Sequence, residues 1–549
     1  MSHLSSAARI HFLCIPPFRH IHTMSRLPHL LLTLLTPALC LAQDAPKTAK
    51  PAGEVEQKVQ QRRRILVKPA AAAPEATQTR SLLKVNVTAQ PYDLHLPWQK
   101  QSPINSRGLG VVLEGNRVLV TAQLVADANY IEIEQPDGGQ KLAAKVIAVD
   151  YEANLALLES AINAEKEKAF FASLQPMGID TSARIGDAVA VWQTGRVGEL
   201  IKTPLTISKI LTRRYVVEGS GFLVYETTGI IRSEANSFTL PVIKGGKLAG
   251  LLLSYDSKNQ VTTILPAPII EHFLKDFADG AYEGFPGLGM EFQITLDEQL
   301  RDYLGMKPDA PGVLVSAVVK GASAEKAGLK KGDILIAING HTIDARGDYQ
   351  DPQYGPLSTS HIVRGQAYVG DDFELKIMRD GQEQVLKGKL IRKNPDDYLV
   401  TPYRFDKGPP YILMGGLLFQ ELSRPYLDSF GEQQTENSAL LRLSHIARHP
   451  DDLEEAGRKK LVFLANVLPT PSAQGYDQLG GIVVNKVNGR TIGQLRDLDA
   501  AFKDLKGTTH VIELDDFPHV LYLDAAAVEQ DNLRLQSGAY RISGLKRLE

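Results

Sequence analysis

GLGVVLEGNRVLVTAQLVADA, residues Gly108 to Ala128, decides how this chain is read. Two short runs of small and branched apolar residues flank Glu-Gly-Asn, so the segment predicts a strand, a tight turn and a second strand. The second run leads into VLVTAQLVADA (Val118–Ala128), where a polar Thr-Ala-Gln step follows the apolar strand. The same grammar extends outward. YIEIEQPDGGQKLAAKVIAVD (130–150) and GDAVAVWQTG (186–195) also read as strands joined by Gly, Asn and Asp turns. Many short strands at this spacing, from about Leu94 to Gly280, predict a barrel or sandwich. A helix, PIIEHFLKDFADG (268–280), closes the unit.

Beyond it lies an internal repeat. GVLVSAVVKGASAEKAGLKKGDILIAINGHTI (Gly312–Ile343) has a degenerate echo in LVFLANVLPTPSAQGYDQLGGIVVNKVNGRTI (Leu461–Ile492). Each places a strand, a small-residue stretch, a glycine turn, a second apolar strand and an Asn-Gly turn in that order. Such an order reads as a PDZ domain, met twice. The second copy lacks the Lys-Gly-Asp turn of Lys331–Asp333.

At 549 residues the chain has room for three or four domains of about 100 to 200 residues each. A net charge of −2 gives no general attraction to nucleic acid or acidic lipid, so no nucleic-acid partner is expected. MSRLPHLLLTLLTPALCLAQDAPK (24–47) has the order of an export signal: a start at Met24, basic Arg26, a Leu-rich centre and small residues before a cut after Ala42. Pro37 interrupts the apolar run, which is shorter than the roughly 20 residues that span a bilayer, so export without a stable membrane anchor is expected. Cys14 and Cys40 both precede that cut, leaving no thiol in the mature chain. Residues 43–93, rich in Ala, Pro, Lys and Gln, read as a disordered tether in which Arg62–Arg64 are solvated.

The barrel followed by two PDZ modules resembles the Deg/HtrA serine proteases, in particular their plant-organelle branch. Four segments carry the likeness. Gly108–Ala128 parallels the family's histidine segment, VIAVDYEANLALLES (146–160) its aspartate segment, and TTGIIRSEANSFTLPVIKGGKLAGLLLSY (227–255) its nucleophile segment. DKGPPYILMGGLLFQELSRPYL (406–427), with the insertion before the second repeat, is similar to the long PDZ pairs of the plant-organelle branch. The resemblance implies a mainly β fold, a chymotrypsin-like double β-barrel at 94–280 followed by two α+β modules at 281–395 and 396–549, the second with a helical insertion. It also implies peptide ligands and homo-oligomers built from trimers.

Carried across residue by residue, the resemblance puts the base at Gln123, the orienting carboxylate at Asn154 and the nucleophile at Ser237. An amide takes up no proton near neutral pH, so Gln123 cannot serve as base, and Asn154 has no charge to stabilise an imidazolium. No histidine occurs between His95, placed before the first strand, and His272, placed on the closing helix. Around Ser237 the family's glycines are replaced by Ala235, Phe238 and Thr239. No catalytic residue is therefore expected. A serine–lysine dyad with Lys244 or Lys247 is disfavoured by their solvated Gly-rich turn, and Asp150 reads as a turn residue. The competing readings are an endopeptidase whose base is unidentified and a purely structural envelope protein.

Function is expected in the PDZ modules. Gly287, Leu288, Gly289 and Met290 read as the loop that receives a peptide carboxylate, with Leu288 and Met290 as apolar walls, and the strand MEFQ as the edge on which C-terminal or extended peptide segments add. Gly415 and Gly416 are candidates for the matching loop of the second module, whose strand GGLLFQEL is alternatively an assembly edge. His445 and His449 share a helical face, but no third His or Cys accompanies them, so neither a metal nor another cofactor is expected.

Overall fold

The computed structural model describes Thr79–Glu549, except 137, 163, 196–198, 216, 218–220, 232–238, 432–436 and 539. Its first unit is a closed six-stranded barrel of β1 (Leu82–Ala89), β2 (Ile104–Leu113), β3 (Arg117–Val120), β4 (Ala128–Glu134), β5 (Lys141–Asp150) and β6 (Leu155–Ser160), ordered β1-β2-β3-β6-β5-β4. Alternation produces it. In β1, Leu83, Val85 and Val87 point into the barrel and are buried, whereas Lys84 and Asn86 meet Glu134 on the outside. The expectation of a tether through residue 93 and a barrel from 94 is therefore corrected. LLKVNVTA is the first barrel strand, because its period-two apolar set can be buried against β2 and β4. His95 consequently follows the first strand instead of preceding it.

A second closed barrel follows, of β7 (Ala188–Thr194), β8 (Leu200–Arg214), β9 (Gly221–Thr228), β10 (Pro241–Lys244), β11 (Lys247–Asp256) and β12 (Val261–Pro266), ordered β10-β11-β12-β9-β8-β7. The helix Ala267–Asp276 closes it. Gly245 and Gly246, both at positive φ (57° and 83°), form the two-residue β10–β11 turn, a conformation whose twist matches the strands it joins.

The first repeat folds as a sheet ordered β13-β14-β15-β19-β20, with β13 at Met290–Gln293, β14 at Val313–Val318, β15 at Ile334–Ile338, β19 at Asp372–Arg379 and β20 at Gln382–Lys389. β16 (His341–Thr342) pairs with β15, and β17 (Asp348–Asp351) with β18 (Gly355–Ser358) form a separate hairpin before the helix Ser360–Arg364. Asp333 of the Lys-Gly-Asp turn pairs with Arg379 at 2.6 Å and pins that turn to β19.

The second repeat is a sheet ordered β27-β26-β24-β23-β22-β21-β28. Its strands are β21 (Tyr411–Met414), β22 (Leu417–Glu421), β23 (Val462–Val467), β24 (Ile482–Val487), β26 (Thr509–Leu514), β27 (Val520–Asp524) and β28 (Lys546–Arg547), with β25 (Arg490–Thr491) on β24. The two Asn-Gly turns of the repeat share one geometry: Asn339–Gly340 has φ of 48° and 80°, and Asn488–Gly489 has 51° and 78°. Asparagine and glycine are the residues that adopt this left-handed pair at least cost.

Cores connect unequally. One apolar cluster runs from Leu109 and Val111 through Val191 and Tyr225 to Val315, Ile338 and Leu375, so both barrels and the first module share it. The second module has its own clusters, around Phe419, Phe463 and Leu413. Among the described residues no helix is long and apolar enough to cross a membrane.

Candidate functional site

The positions read from the sequence as base and orienting residue do come together. Gln123 lies on the short helix Ala122–Val125 after β3, and its backbone N–H donates to Asn154 Oδ1 at 2.9 Å. Asn154 closes the β5–β6 turn at φ 55° with 2% of its surface exposed. The side chain of Gln123 itself is exposed. Ser237 falls in 232–238, outside the described residues. Thr239 just beyond is fully buried, and its hydroxyl accepts the Thr121 N–H at 3.1 Å and meets Thr121 Oγ1 at 2.8 Å. A Cβ on Gly108 would lie 3.3 Å from the Thr239 nitrogen, so this glycine permits the approach. In sequence Thr239 reads only as an intrusion at a glycine position; in the structure it pins β3 to the segment after Ser237.

Both flanking histidines are engaged elsewhere. His95 packs against Tyr426 and Phe430, with ring centroids at 5.3 and 4.8 Å, and Nε2 lies 3.1 Å from Ser429 Oγ. His272 is stacked between Phe285 (4.5 Å) and Tyr368 (4.0 Å), and Nε2 donates to the Ala367 carbonyl at 2.9 Å. Burial lowers the pKa of each imidazole below its ordinary value. Lys244 is 2.6 Å from Asp187 and 3.9 Å from Asp180, and its hydrogen bond holds the Asp187 carboxyl below the usual range. His445 and His449 stand 4.8 Å apart, and among the described residues no three His, Cys, Asp or Glu side chains form a group that could hold a metal.

At the first module, Gly287 N–H donates to Ile391 O, while the carbonyls of Gly287, Leu288 and Gly289 accept from Ser323 Oγ, Ala324 N and Val319 N. Gly289 has φ 72°, and a Cβ there would sit 2.2 Å from Ala322 Cβ, so only glycine fits. The Val319-to-Gly289 bond makes Met290 and Val318 a pair that exchanges no hydrogen bonds with each other. The Met290 N–H and C=O therefore face the opposite side, and β13 is an edge strand. An added strand would pair on this side. One expectation needs correcting: Leu288 is 8% exposed and belongs to the shared core, so of the two proposed walls only Met290 is partly open.

The second module differs in kind. Gly415 and Gly416 (φ 58° and 98°) form a two-residue hairpin turn that folds β21 back along β22. Their reading as a carboxylate loop is corrected, since the Gly415 N–H already donates to Asn532 Oδ1 at 2.9 Å. β21 pairs with β22 on one side and with β28 on the other, while β23 takes the remaining side of β22. Tyr411, Ile412 and Leu413 are buried there. The strand GGLLFQEL is thus filled from within the chain, leaving neither a peptide edge nor an assembly edge on β22.

Where barrel and first module meet, charges are paired. Asp150 does act in its turn, accepting the Ala153 N–H at 2.6 Å, but its other oxygen accepts from Tyr282 at 2.7 Å and pairs with Arg392 at 3.0 Å. Glu152 pairs with Arg364 at 2.6 Å, accepts from Tyr403 at 3.3 Å and lies 4.0 Å from Arg392. Burial, reinforced by the Asp150 charge, pushes the Tyr282 phenol well above its ordinary pKa. Tyr151 stacks on Phe405 and donates to Asp406, which exchanges backbone-to-carboxylate bonds of 2.8 Å with Asp127.

PDZ domain models match residues 314–353 and 400–543. The Protease Do-like 4, mitochondrial, of Arabidopsis thaliana is 29% identical over 407 residues, 73% of this chain and 72% of that protein. Protease Do-like 2, chloroplastic, of the same plant is 26% identical over 448 residues, 80% of this chain and 71% of that protein. Among solved structures, an HtrA-type protease, AlgW with tripeptide, is 19% identical, covering 58% of this chain and 97% of its own with a TM-score of 0.44.

Proposed function

The chain is a Deg/HtrA-type serine protease homologue with PDZ domains, and from that premise we propose that its barrels are a non-proteolytic scaffold while its first PDZ domain captures peptide or unfolded-protein segments. The observation that carries this reading is Gln123. It stands where the resemblance places the catalytic base, beside Asn154, and the chain has no histidine between His95 and His272. Without imidazole the serine proton has no acceptor, and loss of a triad's concerted action costs a factor of about a million. The free β13 edge with its Gly287–Met290 loop supports capture of extended chains or C-termini. The export signal expected at Met24–Ala42 supports a cell-envelope location, and the resemblance supports a homo-oligomer of trimeric type.

The test uses the mature chain. Casein should remain intact, and a fluorophosphonate probe should leave Ser237 unlabelled. Labelling that disappears in Ser237→Ala would establish an endopeptidase instead. Peptide arrays with apolar C-termini should bind, and Gly289→Trp should abolish the binding. Arrays that stay blank at every concentration would favour the structural reading.

A further inference from the structure

We infer that Arg364 is a further ligand-binding residue of the first PDZ domain, receiving the terminal carboxylate of a captured peptide, and that Glu152 of the barrel occupies it until a peptide arrives. This rests on the peptide-capture reading above. With the Gly287 N–H committed to Ile391, the loop presents the Met290 N–H on its open side, and a cation nearby adds a stronger, charge-assisted bond to a carboxylate. Arg364 is such a cation. Its Nη2 lies 3.5 Å from where a Cβ on Gly287 would be, so it borders the first residue of the loop. The guanidinium stacks over Phe222, with Cζ 5.2 Å from the ring centroid, and the side chain keeps 18% of its exposure.

What the guanidinium now holds is a carboxylate from another domain. Glu152 Oε2 is 2.6 Å from Arg364 Nη1, and Glu152 belongs to the β5–β6 turn, 212 residues away in sequence. A peptide C-terminus brings the same planar anion, to which the guanidinium fork is matched. Exchange also leaves Glu152 provided for. Tyr403 and Arg392 remain its partners, at 3.3 and 4.0 Å, so it does not become an uncompensated buried charge.

Two peptides of one apolar sequence, one ending in a free carboxylate and one amidated, are titrated by fluorescence anisotropy against the full chain, Glu152→Gln, Arg364→Ala and Arg364→Lys. The free acid should bind more tightly than the amide. Glu152→Gln should tighten the free acid by about three- to tenfold, the range of a single partly screened ion pair, and leave the amide unchanged. Arg364→Ala should remove the discrimination, and Arg364→Lys should restore part of it. If Glu152→Gln shifts both peptides equally or neither, or if Arg364→Ala weakens both alike, the inference is overturned while peptide capture stands. Binding of neither peptide to any form overturns the capture reading, and this inference with it.

Discussion

Asn154 stands where the resemblance puts an orienting carboxylate, and in this chain its contacts serve the backbone around it. Its side-chain oxygen satisfies the Gln123 N–H, and its backbone sits at φ 55°, a conformation asparagine tolerates better than most residues. Both features are structural. Asn154→Asp keeps the acceptor but puts a charge at a position 2% exposed and should lower stability by that charge's desolvation, whereas Asn154→Leu strands a backbone donor and strains the turn. A loss of about 2–4 kcal/mol in urea unfolding is expected for the leucine variant. At this scale the sequence was informative about identity and silent about partners. The absence of histidine between His95 and His272 is visible in a string of letters. The anchoring of Thr239 on Thr121 is not, because the two lie 118 residues apart and nothing local to either announces the bond.

Strands that look alike in sequence are used differently according to which of their edges remain free. GLGMEFQ and GGLLFQE both place glycines before an apolar strand, yet β13 keeps an open edge while β22 is paired on both sides. The second module closes off its own edge with β21, and β28 then covers β21. Arg547 reinforces the cover: it bonds to the Pro97 and Pro409 carbonyls and lies over Tyr92 and Tyr411. At the far side of the sheet, the Tyr476 hydroxyl accepts the Tyr522 N–H at 3.2 Å and donates to its carbonyl at 3.3 Å, capping β27. An edge so protected does not recruit another chain. Deleting residues 544–549 should uncover β21, lower the melting temperature of the second module and raise the sedimenting mass in a concentration-dependent way. Unchanged sedimentation would show that β21 is protected by something other than β28. In sequence, Gly-Gly between apolar runs fits an anion loop as well as a turn, and only the pairing of β21 with β22 decides between them.

For the molecule as a whole, continuity of core decides which domains stand or fall together. Both barrels and the first PDZ domain share one apolar cluster, bridged by His272, Phe285 and Tyr368 and by the Asp150–Arg392 and Glu152–Arg364 pairs. Calorimetry should therefore resolve two transitions, the larger for residues up to about the Lys389 strand end and the smaller for the second domain. Three separate transitions would contradict the shared core. The joint is also sensitive to acid. Burial lowers the pKa of both His272 and His361, so the folded state holds them neutral while the unfolded chain protonates them near its ordinary value of about 6.5. Their contribution is complete above that value and declines as pH falls through it toward the lower folded pKa. The first transition should shift down as pH falls below about 6.5, and His272→Phe should flatten part of that slope.

By itself the sequence determined the alternation that makes barrel strands, the Asn-Gly and Gly-Gly turns that join them, the repeated module and the missing imidazole. Each of these is local: it depends on neighbours within a strand or a turn, or on the presence of a residue type anywhere in a window. Even there LLKVNVTA was lost beside an Ala- and Pro-rich stretch, because one alternating strand has no meaning until partners on both sides bury it. Only tertiary structure decided that β13 is open and β22 is filled, that Leu288 turns inward, and that Glu152 meets Arg364. Those outcomes arise from which long-range contacts exclude water together, and side chains hundreds of residues apart carry no sequence signal of their distance in space.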